Sequence, residues 1–140
     1  MGLILDSSIL IATERKGLNA YQALKDLTRY AADEQLAISV ITIAELAHGI
    51  ARSNSPERAA MRRQFLTELN VALPVQPVTT EIALRAGLMD GDSTAKGIRI
   101  PFSDLLIGVT ALELGYKVAT LNPRHFQLIP NLQIVSFESV

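Results

Sequence analysis

Three carboxylates and one amide fall where hydrophobic runs stop. Asp6 follows Leu3-Ile4-Leu5, Glu45 follows Ala37–Ile41, Asp104 opens Leu105–Leu114 and Asn122 closes Val118–Leu121. All four are oxygen donors suited to a hard cation. A close group of carboxylates is unfavourable alone: two charges about 4 Å apart cost about 4 kcal/mol at an effective dielectric near 20. Mg²⁺ or Mn²⁺ would relieve that repulsion and keep positions for water and phosphate oxygens. Such a cation lowers the pKa of its own water and stabilises charge developing on a phosphodiester, so no histidine base is required. The chemistry that suits this set is phosphodiester hydrolysis.

That chemistry needs elements that bring the four residues together. Short β-rich runs alternate with helical periodicity, the pattern of βαβ units around a parallel sheet. Gly2–Leu5 is an unbroken apolar run, suited to a strand buried on both faces. Ser7–Thr13 and Leu18–Asp33 read as helical, and Ala37–Ile41 as the second strand. Ile43, Leu46, Ala47 and Ile50 recur at helical spacing. Ser55-Pro56 opens a helix running to about Leu69. Val75–Val78 is a short, proline-flanked edge segment. Thr80 is placed to cap a helix through Met89, and Asp90–Lys96 reads as a polar, flexible stretch. Phe102–Leu114 is an apolar helix stopped by Gly115. Lys117–Leu121 and Ile134–Phe137 supply the remaining strands. In one parallel sheet, Asp6, Glu45, Asp104 and Asn122 all reach the carboxyl edge, where open α/β folds place their ligands.

The 140 residues predict a single domain, 1–140, with 49% hydrophobic residues to fill its core. The absence of cysteine excludes disulfide scaffolds and thiolate zinc sites. The amino terminus lacks the pattern of a signal peptide and no run is long enough to span a bilayer, so a cytoplasmic protein is expected. A net charge of −1 argues against a generally basic nucleic-acid binder. Arg52, Arg58, Arg62 and Arg63 are nevertheless close in sequence, either as a solvated helix face or as a rim for RNA phosphates.

Each polar position also has a structural explanation. Asp6 could cap the helix that follows it. Thr42-Ile43-Ala44-Glu45 fits a capping box, in which Glu45 would reach back to the Thr42 amide. Asp104 suits the positive end of its helix, and Asn122-Pro123 is ordinary turn chemistry. His48 stands three residues after Glu45 without the partners a di-iron site needs. His125 reads as a loop residue.

Taken together, the motifs resemble a known family. Leu3-Ile4-Leu5-Asp6-Ser7-Ser8-Ile9-Leu10 and Ser39-Val40-Ile41-Thr42-Ile43-Ala44-Glu45-Leu46-Ala47-His48-Gly49-Ile50 look like the opening of a PIN-domain ribonuclease. Phe102-Ser103-Asp104-Leu105-Leu106-Ile107-Gly108-Val109-Thr110-Ala111-Leu112 and Ala119-Thr120-Leu121-Asn122-Pro123-Arg124-His125-Phe126 complete the set. The likeness spans essentially the whole chain and is strongest to the VapC-type toxins of toxin–antitoxin systems.

The resemblance implies a three-layer α/β/α sandwich and a Mg²⁺- or Mn²⁺-dependent endoribonuclease cutting a structured RNA such as tRNA. It also implies a small antitoxin partner and a homodimer. Asp6, Glu45 and Asp104 match the family's three main acidic positions and its metal ligands, Glu45 directly or through water. Asn122 matches a fourth position that is often aspartate, which puts a second metal in question. Thr120 matches a supporting hydroxyl, and Ser7 stands beside the first acid. The faces Ile43–Ile50 and Leu18–Leu27 are candidates either for partner contact or for core. The alternative is a catalytically weak PIN-like module that binds RNA or protein, for which the weakened fourth position is the support.

Overall fold

A computed structural model describes residues 1–31 and 33–137. The last three residues of the expected domain and Ala32, within the expected helix Leu18–Asp33, lie outside the described residues. The elements are β1 (Gly2–Leu5), α1 (Ser7–Arg15), α2 (Ala20–Ala31), β2 (Gln35–Ser39), α3 (Val40–Ala51), α4 (Pro56–Ala72) and β3 (Val75–Gln76). They continue as α5 (Thr80–Ala95), α6 (Phe102–Leu114), β4 (Lys117–Thr120), a 3₁₀ turn (Phe126–Leu128) and β5 (Ile134–Ser136).

The strands form one five-stranded sheet in the order β3-β2-β1-β4-β5, all pairs parallel. Strand alternation separates two cores. Leu3, Leu5, Ile38 and Ala119 join Ile9, Leu10, Leu27, Phe65 and Leu69 from α1, α2 and α4 on one face. Ile4, Ala37 and Val118 meet Ile82, Ala86, Leu105, Ile107 and Val109 from α5 and α6 on the other. Period-two burial on both faces requires apolar residues throughout, as the Gly2–Leu5 run has. The expected three-layer sandwich with a central parallel sheet is thus the observed fold.

Strand order fixes where a ligand can bind. The chain lays down β1, β2 and β3 in one direction, then crosses to add β4 and β5 on the other side of β1. The reversal falls between β1 and β4, and its carboxyl end is the crevice such sheets use. β3 protects the opposite margin by being only two residues long between Pro74 and Pro77.

Several expected boundaries are corrected. β2 covers Gln35–Ser39, not Ala37–Ile41, because the Ser39 hydroxyl accepts from the Ile41 amide and starts α3 two residues earlier. Ser39 is therefore the cap, and the Thr42–Glu45 capping box does not form. Thr79, not Thr80, caps α5 by accepting from Ile82 N–H. That helix runs to Ala95, so Asp90–Lys96 is largely helical rather than a flexible stretch. Ile43, Leu18 and Leu24 pack against the first core beside buried Leu46 and Leu27, so these residues are core, while Tyr21, Ala44 and Ala47 stay exposed. α6 ends as expected: Gly115 adopts φ 71°, while Gly115 and Tyr116 N–H donate to Leu112 and Ala111.

Candidate active site at the carboxyl edge of the sheet

Asp6 sits where β1 ends, its backbone N–H extending the ladder to the Ala119 carbonyl at 2.9 Å. Although Asp6 precedes α1, its carboxylate makes no capping bond. One oxygen, Oδ2, accepts from Ser8 Oγ at 2.8 Å and from Thr120 Oγ1 at 2.9 Å. The hydroxyls themselves accept from the backbone just past β4: Leu121 N–H reaches Ser8 Oγ and Asn122 N–H reaches Thr120 Oγ1. Ser8 and Thr120 are 3.2 Å apart, but each has one proton and both protons point to Asp6. Asp6 is held as an acceptor by a network that spans the switch point, with its second oxygen outside it.

Glu45 stands in the second turn of α3, half-buried. Ser7 stands close enough to lower its pKa, yet Oε1 is buried without a partner. Burial raises its pKa above the ordinary value, and the nearby Asp6 charge adds to that; Ser7 opposes it, and Asp104 raises it further. Thr42 Oγ1, one turn earlier, is likewise buried and unpartnered. Two of the three such side-chain atoms among the described residues therefore fall at this place. Buried orphaned oxygens carry a desolvation cost that a ligand or water would remove.

Asp104 lies in the first turn of α6, and its Oδ2 is 3.0 Å from His125 Nδ1. Burial raises the Asp104 pKa and the Asp6 charge does the same, while the hydrogen bond and charge of His125 lower it. Asp6, Glu45 and Asp104 thus share one electrostatic environment although they come from β1, α3 and α6.

Of the expected residues, the fold brings together Asp6, Glu45, Asp104, Thr120 and Ser7. Asn122 is adjacent but exposed, contributing its backbone N–H to Thr120 and no side-chain hydrogen bond among the described residues. The arginines do not form one rim. Arg62 is engaged, its Nε on Glu14 at 2.8 Å and its Nη1 on the Gly49 carbonyl at 3.0 Å. Arg52, Arg58 and Arg62 line a cavity of about 540 Å³ with Glu14, Arg15 and Asn54, while Arg63 is exposed outside it. Asp6, Glu45 and Asp104 do not border that cavity. Arg52 lies roughly 10 Å along α3 from Glu45 by helical rise. His48 is exposed at the end of α3. Sequence reasoning missed Ser8 and His125. The only signals were a hydroxyl two residues after the first acid and a ring preceding the buried anchor Phe126.

Among the described residues, no three His, Cys, Asp or Glu side chains stand close enough to enclose an ion as they are. The donor set still fits a hard divalent cation. Magnesium keeps several waters and needs only one or two direct carboxylates, and here the unpartnered oxygen of Glu45 is buried next to Asp6 and Asp104.

Residues 3–131 match the PIN domain. Ribonuclease VapC1 of Rickettsia felis is 30% identical over 139 residues, covering 99% of this chain and 98% of its own length. The tRNA(fMet)-specific endonuclease VapC of Salmonella typhimurium is 32% identical over 101 residues, covering 71% and 74%. The crystal structure of VapBC2 from Rickettsia felis, bound to a DNA fragment from their promoter, superposes with a TM-score of 0.81 at 25% identity, covering 99% of this chain and 100% of the matched one. The chain belongs to the PIN-domain family. Within that family it is of the VapC type, the ribonuclease toxins of toxin–antitoxin systems.

Proposed function

We propose that this chain is a Mg²⁺- or Mn²⁺-dependent endoribonuclease that cuts a structured RNA, with tRNA the favoured class, and that a small antitoxin silences it in the cytoplasm. The observation that carries the reading is the carboxyl-edge group in which burial and the Asp6 charge make Glu45 and Asp104 costlier to ionise, while an oxygen of Glu45 stays buried and unpartnered. Asp6, Asp104 and Glu45, the last directly or through water, would hold the cation. Bound there, it would supply a hydrolytic water at neutral pH and offset charge on the phosphodiester. The protein's own contribution is orientation: Ser8 and Thr120 fix Asp6, Ser7 steadies Glu45, and Asn122 stands at the exposed rim where RNA would arrive. The tRNA preference follows the Salmonella relative's specificity. The antitoxin and a homodimer follow membership of the VapC group. Among the described residues no helix is long and apolar enough to cross a membrane.

The test is cleavage of total RNA by purified chain with Mg²⁺, Mn²⁺ or EDTA, beside Asp104→Asn. Discrete fragments that require metal and vanish in the variant are expected. No cleavage by folded, partner-free protein with either metal would reject the nuclease and favour a module that binds without cutting.

A further inference from the structure

His125 is delivered to the acidic group by packing on both sides. After β4, Pro123 turns the chain, and Gln127 N–H donates to the Pro123 carbonyl at 2.9 Å. Leu128 and Ile129 N–H close the 3₁₀ turn on His125 and Phe126. Phe126 and Ile129, 1% and 3% exposed, anchor that turn in the second core. The turn seats directly on α6 because Gly108 has no side chain: a Cβ there would lie 2.5 Å from Ile129 Cδ1. Asp104 is one helical turn before Gly108. The contact that seats the turn on α6 therefore also sets the reach from the imidazole to the carboxylate.

From this geometry we infer that His125 is a positioning residue, whose Nδ1–H holds Oδ2 of Asp104 and leaves the other oxygen to face a cation. An ionised carboxylate can only accept, so the ring nitrogen carries the proton. The arrangement repeats that at Asp6, where donors converge on Oδ2 alone. Partners that orient a ligating group typically set metal affinity 10–100-fold. The competing explanation is an ordinary surface pair, given side-chain exposures of 34% for His125 and 18% for Asp104. Such a pair would contribute little and would leave cation affinity unchanged.

The inference rests on the cation-dependent reading above, and one experiment separates the two. Mn²⁺ is titrated calorimetrically into metal-stripped full-length chain, wild type beside His125→Ala, His125→Asn and His125→Gln. Melting in EDTA reports the fold of each variant. His125→Ala should weaken Mn²⁺ binding about 10–100-fold. His125→Asn places its amide N–H where Nδ1 stood and should recover most of the affinity; His125→Gln, whose amide falls nearer Nε2, should not. Should the alanine variant not fold, the Asn-against-Gln comparison carries the test. Wild-type affinity in His125→Ala, or better recovery by glutamine, overturns the positioning role and leaves the cation reading intact. No Mn²⁺ binding by wild type overturns both.

Discussion

Thr120→Val tests the network at the switch point most directly. Thr120 is fully buried, and valine fills nearly the same space, so little cavity cost is added. Two interactions are lost. One is the 2.9 Å bond donated to the Asp6 carboxylate; bonds to charged groups contribute about 1.5–3 kcal/mol. The other leaves the Asn122 N–H, now 3.0 Å from Oγ1, without its acceptor, at about 1 kcal/mol. The total of roughly 2.5–4 kcal/mol is a large share of the 5–15 kcal/mol that stabilises a typical domain. Urea unfolding in EDTA measures it. In an Asp6→Asn background the acceptor is neutral, and the cost should fall to about 2 kcal/mol. A Thr120→Val chain within about 0.5 kcal/mol of wild type, equally so in both backgrounds, would show that the hydroxyl does not hold the carboxylate.

Glu45→Gln removes a carboxylate whose folded pKa lies above its ordinary 4.5, through burial first and Asp6 second. A raised acid favours the fold below its unfolded pKa and loses that contribution as pH rises through the folded value. In EDTA, the variant should therefore gain on wild type from about pH 4 to pH 7, and parallel urea midpoints would contradict this. Asp6→Asn and Asp104→Asn should abolish RNA cleavage with the fold intact, checked by fragment analysis and melting. Gly108→Ala brings a Cβ against the Ile129 Cδ1 tip, about 1–3 kcal/mol of overpacking. Replacing a helical glycine gains about 1 kcal/mol, so urea unfolding should show a net loss of about 0–2 kcal/mol. Arg62→Ala should cost stability, about 1–2 kcal/mol, because its guanidinium joins Glu14 to the Gly49 carbonyl. Arg58→Glu should instead lower the salt slope of RNA binding by about 1; an unchanged slope would assign Arg58 to a solvated face.

Asp6 and Asp104 were legible because each stands at the boundary of an element with a strong local signature, whereas Glu45 lies inside α3, six residues past the end of β2. Gly2–Leu5 can only be a doubly buried strand, so the first polar residue after it must lie at the sheet's carboxyl edge. Leu105–Leu114 with Gly115 behind it fixes Asp104 at a helix start. Where local signals compete, the observed boundaries differ from the expected ones. Val40 and Ile41 favour strands by branching, but the Ser39 cap outweighs that preference and begins α3 there. Gly91 and its polar neighbours resemble a loop, whereas the buried Ile82 and Ala86 anchor α5 and the helix carries on into solvent. Ser8 and His125 carried only faint local signals. Their roles depend on contacts to residues far along the chain, and no local pattern encodes how closely the 3₁₀ turn approaches α6.

The bond between Thr120 and Asp6 joins residues 114 positions apart. During synthesis β1 emerges first, but its β4 neighbour emerges only after six helices and two other strands. Until then Asp6 lacks its Thr120 donor and Ser8 lacks the Leu121 amide, and Asp104 and His125 also lie far downstream of β1. At about 5–20 residues per second, a nascent chain passes several seconds with its first acid made and its site unassembled. Full order at the acidic edge waits for β4, and truncation before it removes the Thr120, Leu121 and His125 contacts.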